Sequence, residues 1–173
     1  MFRMLLLSVL LLIGRAVQAA PLTAEFASID GGVLSLEAWR GQPVLVVNTA
    51  SQCGFTGQYA DLQEMHETYG KRGLVVLAVP SDSFNQELET ASEVKAFCEM
   101  NYGLTLPMAD ITPVKGPKAH AFYKAVADQT GFVPQWNFNK ILLDSEGEVV
   151  ATFGSGVKPT SPKLTRQVEA LLP

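Results

Sequence analysis

The stretch PVLVVNTASQCGFTG, residues 43–57, decides the fold of this chain. The apolar run from Val44 to Val47 is typical of a parallel strand that is buried on both faces. Cys53 follows this run and precedes a segment with helical spacing. Unpaired backbone N–H groups and the positive end of a helix dipole favour a thiolate, which is the nucleophilic form of cysteine. Because Thr56 stands where a Cys-x-x-Cys motif would have its second cysteine, the stretch predicts redox chemistry by one thiol.

The chain contains two cysteines, Cys53 and Cys98. They are too far apart for a Cys-x-x-Cys motif, and no cysteine and histidine residues have the spacing of a zinc site. The pair is either one structural disulfide or two thiols that work together. Cys53 by itself also fits the description of a small buried hydrophobic residue. No metal and no cofactor are expected.

Length and composition indicate a globular protein. The chain has 173 residues, of which 47% are hydrophobic and 17% are charged, and its net charge is −4. It contains no basic cluster, so no nucleic-acid partner is expected. These values predict a single domain with a sizeable core.

The first residues have the pattern of a secretory signal peptide. Arg3 precedes the apolar run from Met4 to Ile13, whose roughly ten residues match a signal-peptide core and are too few to span a membrane. Small residues then allow cleavage before Ala20. The prediction is a signal peptide over residues 1–19 and a periplasmic or secreted domain over residues 20–173, with a retained membrane anchor as the alternative.

The order of apolar patterns predicts an α/β fold. A βαβ unit followed by a β-hairpin and a terminal helix is the thioredoxin-like arrangement, here a central mixed sheet flanked by helices with an N-terminal β-hairpin. Cys53 then lies at the carboxyl end of a central strand, the edge at which open α/β sheets bind ligands. The expected elements are a hairpin within 22–36, strands 44–48 and 74–79, helices 57–69, 91–102 and 118–127, a short uncertain segment 104–108, a hairpin 138–153 and a helix 162–171.

Three blocks of residues resemble the glutathione peroxidase family. Asn48 to Gly54, NTASQCG, is similar to the family's Asn-Val-Ala-Ser-x-(Cys or selenocysteine)-Gly. Pro80 to Glu87, PSDSFNQE, resembles a second block that ends Phe-Gly-x-Gln-Glu-Pro. Trp136 to Lys140, WNFNK, resembles Trp-Asn-Phe-x-Lys. Three blocks in the same order and spacing are a far more specific signal than any one of them.

The resemblance implies a catalytic tetrad. A thiolate attacks one oxygen of a hydroperoxide, and negative charge develops on the departing oxygen. Amide and indole N–H groups placed around the sulfur can stabilise both the thiolate and that charge. The product on the sulfur is a sulfenic acid. The residues that match the family's tetrad are Cys53, Gln86, Trp136 and Asn137.

The second block departs from the family pattern. It is one residue shorter, and Leu88 replaces the closing proline. Gln86 is the choice for the tetrad, and Asn85 is the alternative if the loop follows another course. Without the resemblance, Gln86 would be interpreted as an exposed loop amide, Trp136 as a core aromatic and Asn137 as a turn residue.

Cys98 has two interpretations. Its segment resembles the helix in which thioredoxin-dependent members carry a resolving cysteine, which condenses with the sulfenic acid to form a disulfide. That helix must open locally, because Cα atoms more than about 7 Å apart cannot be bridged. The alternative is a buried structural cysteine, since Val94, Phe97 and Cys98 share one helix face. Both interpretations stay open.

The sequence therefore predicts an exported thiol peroxidase that reduces hydrogen peroxide and organic or lipid hydroperoxides. The expected reductant is a thioredoxin-like protein or glutathione. The short loop 109–118 resembles the monomeric branch of the family, which implies a monomer with an open site. No stable membrane insertion is expected, because the N-terminal apolar run is too short to span a membrane. The alternatives are a thiol–disulfide oxidoreductase or redox sensor on the same fold, and a non-enzymatic protein with a Cys53–Cys98 disulfide. Thr56 weakens the first alternative, because dithiol exchange needs a nearby resolving thiol.

Overall fold

The structure is a computed structural model that describes residues 23–173, so the predicted signal peptide lies outside the described residues. Among the described residues, no helix is long and apolar enough to cross a membrane. The strands and helices are β1 (Glu25–Ala27), β2 (Val33–Ser35), β3 (Val44–Thr49), α1 (Gln58–Tyr69), β4 (Val75–Pro80), α2 (Ala91–Tyr102), α3 (Ala121–Thr130), β5 (Lys140–Leu143), β6 (Val149–Phe153) and α4 (Pro162–Glu169). Short 3₁₀ turns cover Leu36–Trp39 and Gly70–Arg72.

The central sheet has the strand order β4-β3-β5-β6. β3 pairs parallel with β4 and antiparallel with β5, and β5 pairs antiparallel with β6. β1 and β2 form a separate antiparallel hairpin. The mixed sheet, the flanking helices and the N-terminal hairpin are as predicted.

Alternation along β3 divides the core into two layers. Leu45 and Val47 pack with side chains of α1, α2 and α4 on one face of the sheet. Val44 and Val46 pack with α3 and the N-terminal hairpin on the other face. All six residues of β3 are buried, which explains why this strand has a continuous apolar run rather than alternating polarity.

Several boundaries differ from the sequence prediction. The helix expected at 118–127 begins at Ala121, because the imidazole of His120 accepts a hydrogen bond from the N–H of Phe122 and caps it. The expected strand 138–143 begins at Lys140, since Phe138 has a φ of 59° and cannot continue a strand. Segment 104–108 forms only a single bridge, from Met108 to Ala78. α4 ends at Glu169 rather than at Leu171. α1 ends at Tyr69 with Gly70 as its C-cap, as predicted, and the 3₁₀ turn Gly70–Arg72 follows it.

Candidate active site

Four loops converge at one edge of the sheet. β3 and β4 run parallel, so the loops that follow them leave at the same edge. β5 runs antiparallel to β3, so the loop that precedes β5 reaches that edge as well. The loop after β6 returns there, since β6 is antiparallel to β5. The three sequence blocks and the segment after β6 are thereby brought together, although they are distant along the chain.

Cys53 lies in the turn between β3 and α1. The residue is buried, with 5% of its surface exposed. The backbone N–H of Phe55 points at the sulfur, at 3.5 Å from N to Sγ, which is a donor of the kind that stabilises a thiolate. The N–H of Thr56 donates to the Cys53 carbonyl at 3.1 Å. α1 begins at Gln58, one residue after the predicted start, so a short turn separates the thiol from the helix.

Residues of the loop after β4 accept hydrogen bonds from the two residues that precede Cys53. The N–H of Gln52 donates to the Gln86 carbonyl at 2.9 Å. The N–H of Ser51 donates to Glu87 Oε1, also at 2.9 Å. Burial raises the pKa of the Glu87 carboxyl, while its hydrogen bonds with Ser51 and with the N–H of Leu88 act against that rise. Sequence reasoning missed Glu87, although a glutamate beside Gln86 in the second block was a signal for it.

Gln86 and Asn137 are in direct contact. Asn137 Nδ2 donates to Gln86 Oε1 at 3.0 Å, and Asn137 is fully buried. Because the Gln86 carbonyl oxygen is used in this bond, its Nε2 group keeps its donors for another partner. Asn85 is exposed and has a φ of 55°, a left-handed conformation that asparagine tolerates. Of the two candidates from the second block, Gln86 is the one whose side chain meets Asn137.

Trp136 lies at the surface beside the same loop. It is 40% exposed, and its ring is tilted against Phe84, with the centroids 5.4 Å apart. The ammonium group of Lys115 lies over the ring of Phe84, 4.1 Å from its centroid. Trp136 is therefore a partly exposed aromatic residue rather than a core one.

Asn48 connects the third block to the sheet. Its Nδ2 donates to the Trp136 carbonyl at 3.0 Å, and its own carbonyl accepts from the N–H of Phe138 at 2.5 Å. Asn48 is buried and directly follows the apolar run of β3. That position was the available signal that Asn48 supports the site, and sequence reasoning did not use it.

Cys98 lies inside α2 and is fully buried. Both cysteines are free thiols, and they belong to the same core layer. Burial is the main cause that raises the pKa of the Cys98 thiol to about 12, so at neutral pH it stays protonated in the folded chain. The hydroxyl of Tyr59 has no hydrogen-bond partner of ordinary geometry, and burial raises its pKa well above the usual value, with Cys98 contributing.

Within residues 23–173 no three histidine, cysteine or acidic residues are grouped so that they could hold a metal ion. The two histidines lie away from Cys53 in the sequence and pack elsewhere. His120 stacks on Phe26 with centroids 4.3 Å apart, and His66 lies on α1.

The family model for glutathione peroxidase matches residues 22–127. The chain belongs to the glutathione peroxidase family. It is a peroxidase, an oxidoreductase that takes a peroxide as its substrate and a thiol as its reductant.

One curated relative and one solved structure agree with this membership, and a more distant solved structure shares the fold. The hydroperoxy fatty acid reductase gpx1 of Synechocystis sp. is 39% identical over 156 residues, which cover 84% of this chain and 91% of that protein. The crystal structure of Trgpx in its apo form is 25% identical with a TM-score of 0.70, covering 88% of this chain and 95% of that one. A thioredoxin domain of a Bacteroides vulgatus thiol-disulfide oxidoreductase, 17% identical with a TM-score of 0.62, covers 92% of this chain and 100% of that domain. This glutathione peroxidase has the thioredoxin-like fold, as predicted.

Proposed function

We propose that Cys53 is the peroxidatic residue, with Gln86, Trp136 and Asn137 as its catalytic partners. The Cys53 thiolate attacks one oxygen of the hydroperoxide, and the O–O bond breaks. The sulfur is oxidised to a sulfenic acid, and the departing oxygen takes a proton and leaves as water or an alcohol. The observation that carries this proposal is the meeting of the three blocks at one sheet edge, with the Gln86–Asn137 hydrogen bond beside the loop of Cys53.

The donors around the site support this chemistry. The Phe55 N–H is directed at the sulfur, and Gln86 Nε2 and the Trp136 indole are the side-chain donors of the neighbouring loops. Donors that are held in place before the reaction stabilise developing charge with little reorganisation. The bond between Asn137 and Gln86 holds one of these amides in place.

Apolar surface next to the site supports organic and lipid hydroperoxides as substrates besides hydrogen peroxide. Phe55 is 36% exposed and Trp136 is 40% exposed, so two aromatic side chains are available for an acyl chain. The Synechocystis relative is named as a reductase of hydroperoxy fatty acids. We include that substrate class in the proposal for this chain.

The second half of the proposed cycle uses Cys98. Its thiol attacks the Cys53 sulfenic acid, a disulfide forms and water leaves, and a thioredoxin-like protein then reduces the disulfide. Because Cys98 is buried and its thiol has a pKa of about 12, α2 must open locally before this step. Glutathione attacking the sulfenic acid directly is the alternative, in which Cys98 has only a structural role.

The test is hydroperoxide consumption by the protein with a thioredoxin system and, separately, with glutathione. We expect wild type to turn over with thioredoxin, Cys53→Ser to lose all turnover, and Cys98→Ser to fail with thioredoxin. A hydroperoxy fatty acid and hydrogen peroxide serve as the two substrates. Full activity of Cys98→Ser with thioredoxin would eliminate the resolving role, and residual turnover by Cys53→Ser would eliminate Cys53 as the peroxidatic residue.

We also propose that the protein is exported as a monomer after cleavage before Ala20. The motivating observation is the apolar run from Met4 to Ile13 after Arg3. Mass spectrometry of protein recovered from cell fractions tests this, and an intact N-terminus in the cytoplasmic fraction would contradict it. Light scattering of the same sample measures the oligomeric state, and a dimer mass would contradict the monomer.

A further inference from the structure

The loop after β6 contributes a residue that the three sequence blocks do not contain. Ser155 lies in this loop, two residues beyond the end of the strand. Its hydroxyl donates to the carbonyl of Asn137 at 2.5 Å and accepts a hydrogen bond from Asn139 Nδ2 at 2.8 Å. One side chain thus contacts both ends of the turn that contains Asn137 and Phe138.

A buried lysine donates hydrogen bonds to the backbone of the loop that contains Ser155. Lys140 has no exposed surface, and its Nζ donates to the carbonyl of Val157 at 2.6 Å and to that of Ser155 at 3.4 Å. It also donates to Gln58 Oε1 at 2.5 Å, and Gln58 Nε2 donates to the Ser155 carbonyl at 2.7 Å. The first residue of α1, the start of β5 and the loop after β6 are tied together at this point.

The energetic cost of this arrangement argues that it is not incidental. A buried ammonium group is unfavourable unless its donors are satisfied, and burial lowers the pKa of Lys140 to about 8. Asp61 acts in the opposite direction. The neighbouring Phe138 adopts a φ of 59°, a conformation that costs about 1–3 kcal/mol for such a residue and that needs support from its surroundings.

We propose that Ser155 is a positioning residue for Asn137, and that Lys140 and Gln58 hold Ser155 in place. The hydroxyl sets the position of the Asn137 backbone, and Asn137 Nδ2 in turn sets the amide of Gln86. Ser155 then acts on the reaction through two hydrogen bonds without contacting the peroxide. This inference rests on the proposed role of Asn137 and Gln86.

The experiment is a double-mutant cycle on the single-turnover oxidation of reduced protein by hydrogen peroxide. We expect Ser155→Ala to lower the second-order rate constant about three- to tenfold, the change that corresponds to one neutral hydrogen bond. In the Asn137→Ala background the same substitution should have no further effect, because Ser155 acts through Asn137. Ser155→Thr, which keeps a hydroxyl, should recover most of the rate.

The matched control is Ser161→Ala, which removes a hydroxyl-to-carbonyl hydrogen bond of similar length, 2.6 Å to Lys158, at the start of α4. It should leave the rate constant unchanged. Side-chain amide NMR of Asn137 gives a readout that does not depend on activity, and Ser155→Ala should shift that signal while Ser161→Ala should not.

The outcomes separate this inference from the proposed function. If Asn137→Ala is impaired but Ser155→Ala reacts like wild type with an unshifted amide signal, only the inference is wrong. The inference is also wrong if Ser155→Ala costs the same factor with and without Asn137. If wild type and Asn137→Ala oxidise at the same rate, the proposed role of Asn137 fails and the inference fails with it.

Discussion

The two cysteines belong to one core layer, but contacts of different range along the chain fix their positions. Cys53 follows Ser51 and Gln52, whose N–H groups are bound by residues more than thirty positions further along the chain. Cys98 is held inside α2 by hydrogen bonds within the helix and by its capping residues. The position of Cys53 therefore depends on tertiary contacts, whereas access to Cys98 depends on the local stability of one helix.

This difference fits the proposed roles of Cys53 as the peroxidatic thiol and Cys98 as the resolving thiol. A peroxidatic thiol needs a fixed donor at its sulfur at all times, and the N–H of Phe55 in the turn after β3 is directed at Cys53 Sγ. A resolving thiol needs to be released only after oxidation, and a helix can open locally at a lower free energy than the whole domain. Changes near Cys53 should therefore alter the oxidation rate, and changes in α2 should alter the exposure of Cys98.

Among changes that leave both cysteines in place, the largest effect on the oxidation rate is expected from Gln86→Ala. Removing a preorganised amide donor typically costs about 10²-fold or more in rate, so single-turnover oxidation of Cys53 should fall by about that factor. Asn85→Ala is the neighbouring control. It places alanine at a φ of 55° and should lower stability without lowering the rate. Equal rates for Gln86→Ala and wild type would show that the site does not use this amide.

A smaller effect, on the free energy of unfolding, is expected from the titration of Cys98. Burial raises its pKa from 9.0 to about 12, so the folded chain keeps the thiol proton at a pH where the unfolded chain loses it. The contribution of Cys98 to stability is complete below pH 9 and decreases as the pH rises towards 12. At pH 10 the loss should be about 1.4 kcal/mol relative to neutral pH.

Urea unfolding under reducing conditions measures this loss. The free energies of unfolding of wild type and Cys98→Ala are compared at pH 7.5 and pH 10, because other titrating groups contribute to both proteins and cancel in the difference. The advantage of wild type over Cys98→Ala should shrink at pH 10. A difference that is the same at both pH values would mean that the folded helix does not hold the thiol in its protonated form.

The smallest effect is expected from Thr90→Ala at the start of α2. Thr90 Oγ1 accepts from the N–H of Glu93, whose carboxylate accepts from the N–H of Thr90, so both halves of a capping box are present. Losing the cap costs about 1 kcal/mol, which raises the population of the opened helix about fivefold.

The reactivity of Cys98 towards a thiol reagent, measured in a Cys53→Ser background, should rise by the same factor of about five. Ser161→Ala at the start of α4 serves as the control and should leave this reactivity unchanged. If Thr90→Ala reacts no faster than its parent, Cys98 does not become accessible through local opening of α2.

Local signals predicted most of the fold. The apolar runs at 44–48 and 74–79 became β3 and β4, and the capping box at Thr90 together with Gly103 set the bounds of α2. These signals act within a few residues, so a pattern along the chain is enough to recognise them. The beginning of α3 was missed, since histidine is an uncommon cap, and its role depends on a bond that only the folded chain shows.

Reasoning from the sequence predicted only part of the site. The family blocks pointed to Gln86 and Asn137, and the structure shows that these two side chains meet. The supporting residues Asn48, Glu87 and Ser155 make their contacts across long separations in the chain. The burial of Asn48 in β3 and the place of Glu87 beside Gln86 were signals that sequence reasoning did not use, whereas nothing in the local sequence distinguishes Ser155.

The amino-acid sequence alone determined the α/β class, the order of the elements, the place of Cys53 after a central buried strand and the family to which the chain belongs. These follow from local periodicity, capping and motif spacing, which act over a few residues. Only the tertiary structure decided that Gln86 rather than Asn85 meets Asn137, that Cys98 is sealed inside the core, and that Lys140 and Ser155 support the site. These depend on the antiparallel and parallel pairing of four strands, which brings distant loops to one edge of the sheet.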